Sequence, residues 1–188
     1  MGQIPGDFAL TMDELRVVAR FAADSAETVL LDFEAELPDD PRPRLALAAA
    51  LTFANGAPRT NLQRTTAFAA HRASKEATSE TARLAAQACG DAAAAAYLHP
   101  ITKATQVGHI LRSAACAARV AELKAGGDEA AAMGAIISAA QRATPKLRDV
   151  LNRYPLGPSG TGRLAQIMSA LDTYLRHSNS GPKPVFPN

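Results

Sequence analysis

Apolar residues recur at three- and four-residue steps along most of this chain, the period of helices that lay one face on a core. In the first run the stripe is Leu15, Val18, Ala22, Ala26, Val29, Phe33 and Leu37, and Asp13, Arg20, Asp24, Glu27 and Glu34 fall on the opposite face. Thr11-Met12-Asp13-Glu14 has the spacing of a capping box, so a helix is expected to start there. Asp40-Pro41 reads as an N-cap followed by a first-turn proline. It opens a second helix that Asn55-Gly56 stops, with Leu47, Leu51 and Ala54 inward and Leu45 flanking. Thr60-Asn61-Leu62-Gln63 repeats the capping-box spacing ahead of a third helix that reaches about residue 77. That helix gathers Arg64, His71, Arg72 and Lys75 on a charged face, and His71, three residues after Phe68, falls at its edge.

The centre of the pattern is residues 82–122. An alanine-rich helix, capped by Thr78 or Ser79, runs to Tyr97 and is broken at Leu98-His99-Pro100. A fifth helix follows. Proline cannot donate a backbone hydrogen bond and pushes the preceding residue out of helical geometry, so the two arms are expected to fold back as a hairpin. Small residues on both arms (Ala86, Cys89, Gly90 and Ala93; Ala104, Gly108, Ala115 and Ala118) allow close approach. Ala125-Gly126-Gly127 ends the fifth helix, Asp128 caps a sixth, and Thr144-Pro145 starts a short seventh that ends near Tyr154-Pro155. After the loop 156–162 a final helix to about His177 carries Leu164, Ile167, Met168, Leu171 and Leu175 on one face. The reading is an all-α, single compact domain of seven or eight helices over residues 11–177. An irregular arm is expected at 1–10 and a flexible proline-rich tail at 178–188.

Composition sharpens this. Of 188 residues 42 are alanine, the best helix former, so the core has to come from close helix packing plus scattered larger side chains. The absence of a basic-then-apolar leader and of any apolar run long enough to span a bilayer leads to the expectation of a cytoplasmic protein. Cys89 and Cys116 lie at unequal distances from Pro100 and read as small buried apolar residues rather than a redox pair.

The net charge of +2 hides a lopsided distribution. Residues 1–40 hold ten acids against two bases, net −8, and the rest of the chain holds eighteen bases against eight acids, net +10. The acidic segment either neutralises the basic remainder, for example by pairing with Arg72 and Lys75, or offers a negative face to a basic partner.

Metal-binding bundles place carboxylates and histidines at helical spacing, as in Glu-x-x-His, and no such pattern occurs; no metal and no cofactor are expected. The glycines of 156–162 lack both the Lys-Ser/Thr ending and the preceding strand of a phosphate-binding loop. Scattered bases and few aromatics argue against nucleic-acid binding. One stripe stands out. Thr102, Gln106, His109 and Ser113 fall at steps of four, three and four, and with His71 and His99 they form a candidate polar pocket unless they satisfy one another in the core.

With these residues in place, the chain resembles a family of small actinobacterial proteins described as immunity proteins, the immunity-five-like domain of polymorphic-toxin systems. The similarity rests on Pro38-Asp39-Asp40-Pro41-Arg42-Pro43-Arg44, on Ala69-Ala70-His71, and most on Ala96-Tyr97-Leu98-His99-Pro100 followed by Thr105-Gln106-Val107-Gly108-His109. It implies a non-enzymatic helical binder that neutralises a protein toxin, and no catalytic residue is carried over from it. The charge pattern, separately, makes Asp13, Asp24, Glu27 and Glu34 the expected partner-binding residues, facing a basic partner such as a nuclease toxin. The alternatives are a small-molecule-binding or enzymatic domain using the His71, His99 and His109 neighbourhood, or a nucleic-acid-binding helical domain.

Overall fold

The computed structural model describes residues 3–4 and 6–177. The expected tail at 178–188 lies outside them. The described residues form nine α-helices in an all-α domain, led by a two-residue ladder of β1 (Gln3–Ile4) and β2 (Leu10–Thr11) with Gln3 opposite Thr11 and Ile4 opposite Leu10. This ladder falls within and just past the segment 1–10 where an irregular arm was expected.

Helix α1 (Met12–Glu27) opens with the expected capping box: Thr11 Oγ1 accepts from Glu14 N at 3.2 Å, and Glu14 accepts from Thr11 N at 2.7 Å. The first apolar stripe does not belong to one helix. The chain breaks at Thr28–Val29 and resumes as α2 (Leu30–Glu34), which adds a helix to the seven or eight that the pattern suggests. Thr28 Oγ1 donates to Ser25 O at 2.7 Å and Val29 N to Ala26 O at 3.1 Å, bonds that tighten the last turn of α1. Periodicity survives such a break because one skipped helical bond hardly rotates the stripe.

Helix α3 (Arg42–Ala54) begins one residue later than expected. Asp40 accepts from Arg42 N at 3.1 Å and is gripped by the Arg42 guanidinium. Its inward face is Ala46, Leu47, Ala50 and Phe53; Leu45 is exposed, and Leu51 and Ala54 are only half-buried. The rotation away from the expected face follows Phe53, the one aromatic in the helix, which is fully buried. Thr60 and Gln63 cap α4 (Asn61–Glu76), and Ser79 caps α5 (Glu80–Ala94). Glu36, after α2, accepts from Thr78 N at 2.6 Å and Ser79 N at 3.1 Å. Hydrogen bonding from the Ser79 side chain first, then from the Thr78 backbone, holds its carboxyl down near 2.

Helix α5 is buried on nearly every side, packed against α4, α6 (Val107–Lys124), α3, α1 and α2. Both cysteines are fully buried free thiols, and burial pushes Cys89 up to about 12. The α5–α6 connection is the expected break with 3₁₀ turns on each side, Ala95–Tyr97 and Ala104–Gln106. Helices α7 (Glu129–Arg142), α8 (Pro145–Asn152) and α9 (Arg163–His177) close the far side, with Ile167, Leu171 and Leu175 of α9 in the core. Buried Asp172 fixes the loop before α9 by accepting from Gly157 N at 2.8 Å and from Arg176 Nε at 2.6 Å. No described helix is long and apolar enough to cross a membrane.

The α6–α7 turn and the first turn of α6 should respond oppositely to insertion. Gly126 and Gly127 have φ of +70° and +93° with open space around them, whereas Gly108 is buried. A flexible linker at Gly126-Gly127 should leave thermal unfolding cooperative; the same linker at Gly108 should abolish the transition, followed by circular dichroism.

Candidate functional site

The joint between α5 and α6 is held by its backbone. Gln106 Oε1 accepts from His99 N at 3.0 Å, and Tyr154 Oη donates to His99 O at 2.9 Å. From the start of the chain, Phe8 N donates to Pro100 O at 3.3 Å, and Asp7 Oδ2 accepts from Thr102 N at 2.8 Å. The Phe8 and Tyr154 rings meet edge to face with centroids 5.0 Å apart. Three residues of the expected polar stripe are therefore structural. Gln106 splints the joint, exposed Thr102 anchors the chain start through its backbone, and Ser113 Oγ donates to Ala22 O of α1 at 2.7 Å. Thr102 and Gln106 also precede α6, so the periodic stripe crosses from a 3₁₀ turn into an α-helix and does not lie on one face.

The remaining members do converge, around two residues that the sequence pattern did not single out. On α5, Asp91 is buried at 4 % exposure. His71 of α4 places Nε2 3.7 Å from Asp91 Oδ1, and Arg112 of α6 places Nε 3.1 Å from Asp91 Oδ2, an ion pair whose N–H misses hydrogen-bond alignment. His71 and Arg112 stay about one-third exposed, at 34 % and 38 %, so they form the outer edge of the seam. His109, half-buried one turn before Arg112, has an Nδ1 without a hydrogen-bond partner. His99 is exposed, and the hydrogen bonds it makes at the joint use its backbone.

Glycines shape the seam. A Cβ on Gly90 would lie 2.8 Å from the His71 ring, and one on Gly108 3.1 Å from the Arg112 guanidinium. Gly90 was expected to let α5 approach α6; it instead makes room for an imidazole of α4. Asp91 had a faint signal in the sequence, as the only acid in the alanine run 82–96, and Arg112 had the i+3 and i+4 spacing from His109 and Gly108.

Electrostatics follow burial. Desolvation lifts the Asp91 carboxyl to about 7 against the pull of Arg112. Burial, then the charges of Arg112, His99 and His71, lower His109 to about 4. His71 is lowered by burial, Arg112 and Lys75. Near neutral pH both imidazoles are uncharged and Arg112 is the fixed cation.

The acidic face is largely neutralised, by partners other than Arg72 and Lys75. Asp13 pairs with Arg16 at 3.0 Å, Asp24 with Arg20 at 3.5 Å, and Glu34 with Arg44 at 2.6 Å. Only Glu27 is exposed and without an ion pair among the described residues. The outward face of α4 is the converse: Arg64, Phe68, Arg72 and Lys75, at steps of four, four and three, are all exposed, and none of the three bases has an ion-pair partner among the described residues. The Arg64 guanidinium lies 5.8 Å from the Phe68 ring centroid, and nearby Glu76 is committed to Arg42.

The family described as Imm-5 like putative immunity protein matches residues 9–133, which span the joint, the seam and α4. The chain belongs to this family. No curated protein and no solved structure matches it.

Two consequences can be measured. His99 uses its backbone at the joint and leaves its ring in solvent, so His99→Ala should change unfolding free energy by less than about 0.5 kcal/mol in urea titrations. A loss of 1–3 kcal/mol, the range for an unmade buried hydrogen bond, would show that the ring is engaged. Asp91 is raised above its unfolded value of 3.8, so the stability it permits is full below that value and is lost as pH rises through about 7. Asp91→Asn cannot ionise, and its melting temperature relative to the native protein should climb between pH 5 and pH 8. A constant difference would mean that Asp91 ionises as an ordinary carboxylate.

Proposed function

We infer that this immunity-family protein acts without chemistry of its own, inside the cell that makes it, by binding a toxin and covering the surface the toxin works with. The observation that carries the docking mode is the exposed face of α4, where Arg64, Arg72 and Lys75, without an ion pair among the described residues, surround the exposed ring of Phe68. A basic helix face with one aromatic suits an acidic partner surface. Arginine and aromatic side chains concentrate binding energy, and complementary charge raises the association rate. The carboxylates that hold metal ions in many nucleases make such a surface, so a nuclease toxin fits this face. Asp13, Asp24 and Glu34 support docking less well because arginines of this chain already hold them, and Glu27 alone is left to meet a basic group.

The test is stopped-flow association between this protein and the toxin encoded beside it. Arg72→Glu with Lys75→Glu should slow association about tenfold or more at low salt and flatten its salt dependence, with circular dichroism unchanged. Phe68→Ala should act mainly on dissociation, weakening the complex by about tenfold to a hundredfold. Glu27→Lys should leave the rate nearly unchanged. A rate that responds to Glu27→Lys and not to the α4 reversals would move the docking surface to the acidic face; no complex at all would remove the immunity reading.

A further inference from the structure

Two hollows open on the surface of the domain, and Arg142 lines both. The larger, about 360 Å³, is a furrow floored by α6 and walled by α7 on one side and by the α1–α2 corner on the other. Its origin is local. The chain turns at Thr28–Val29, and the facing positions Ala117 and Ala121 of α6 and Ala135 and Ala139 of α7 carry methyl groups where larger side chains would close the gap. Together with Val29 and Val120 they give the furrow an apolar surface. A volume of this size falls in the range of small-molecule sites, which are mostly apolar with a few polar groups that fix orientation.

The polar groups sit at the ends of the furrow, and the two ends differ. Beside the α6–α7 turn, Lys124 of α6 and Asp32 of α2 close on each other at 2.6 Å, so that end offers no net charge. Helix α7 returns along α6 after the turn, and at the other end it presents Ser138 and, one turn on, Arg142. The Ser138 hydroxyl has no hydrogen-bond partner among the described residues. The Arg142 guanidinium makes one bond there, from Nη1 to Ser138 O of its own helix at 3.2 Å. The smaller hollow, about 200 Å³, is also lined by Arg16 and Arg20, but Asp13 and Asp24 hold them. Among the described cations that line either hollow, Arg142 is the one without an acidic partner.

An apolar furrow with an unpaired guanidinium at one end and a self-neutralised pair at the other suits an elongated molecule that carries one anionic group. A guanidinium fork matches the two oxygens of a carboxylate, and a serine hydroxyl adds a further donor. We propose that the α6–α7 furrow binds a small aliphatic carboxylate, its oxygens on Arg142 and Ser138 and its chain laid over the alanines toward Val120. Two turns of α6 separate Ala114 from Ala121, about 10 Å, which suits a chain of medium length. Removing that chain and the furrow surface from water supplies the drive, and the ion pair sets the direction in which the chain lies. No residue of α4 lines either hollow, so this site and the docking face of α4 can be tested separately.

The experiment is a titration of the isotope-labelled full chain with octanoate near neutral pH, with octanol as the uncharged control. Binding is followed through the backbone amide signals of Ala117, Ala121, Ala135 and Ala139 and the Arg142 Nε–H signal. Octanoate should move these signals saturably with a Kd below about 1 mM, and octanol should bind about tenfold or more weakly, a ratio worth about 1.4 kcal/mol. Arg142 is exposed, so Arg142→Gln should fold normally. It should cut the preference for octanoate to about threefold or less and leave octanol binding unchanged. Ala135→Leu places a larger side chain in the furrow and should weaken both ligands about tenfold; if it does not fold, the other two comparisons still decide. No saturable shift below about 1 mM octanoate, where RT ln Kd is about −4.1 kcal/mol, would overturn the proposal. So would shifts scattered over the whole surface, equal binding of octanoate and octanol, a preference that survives Arg142→Gln, or full binding by a folded Ala135→Leu.

Discussion

The fold depends on one constraint, the inability of the chain to remain helical through His99-Pro100. An unbroken helix over 80–124 would leave two long alanine faces with nothing to bury against. The break turns them onto one another and frees the backbone groups of residues 98–102, and the rest of the chain is recruited to satisfy them. Gln106, Tyr154, and Asp7 with the backbone of Phe8 do so from three places in the sequence. The same break makes α5 the central element, since a helix of alanines folded into the middle of a domain has no face that needs solvent.

An alanine core gains little area per residue, so position is enforced by polar pins between helices as well as by apolar shape. Ser113 ties α6 to α1, buried Glu122 draws Arg119 of its own helix and Arg163 of α9, and Gln63 donates from α4 to Ala49 O of α3 at 3.2 Å. Asp91 is a pin of the same kind: it faces Arg112 of α6 at 3.1 Å and His71 of α4 at 3.7 Å, so three helices meet on one buried carboxylate.

Much of this was legible in the sequence. Caps at Thr11, Thr60, Asp128 and Thr144 are local signals carried by one side chain and the next turn and act as read, and of Thr78 and Ser79 it is Ser79 that caps α5. The hidden features depend on partners distant in sequence. The stop at Thr28–Val29 has no proline or glycine to announce it, and the inward face of α3 was set by Phe53 rather than by its leucines. The polar stripe 102–113 looked like one surface because its spacing ignores the 3₁₀ turn within it. His71 and His109 were recognisable as candidates, but their meeting required Asp91, whose role only the packing of three helices reveals. Charge balance misled in a similar way. A −8 segment suggested a free acidic face, yet short-range arginines, two on α1 itself, absorb most of it.

The anchoring of residues 7–9 has a consequence for how the protein folds. Asp7 bonds to Thr102, Phe8 bonds to Pro100 and meets the Tyr154 ring edge to face, and Arg153 donates to Ala9 O at 3.0 Å. These are contacts of high sequence separation, so the segment has nothing to hold until the α5–α6 joint and the turn after α8 stand side by side. A clasp of this kind makes the integrity of residues 7–9 a report on the assembly of two distant parts of the domain.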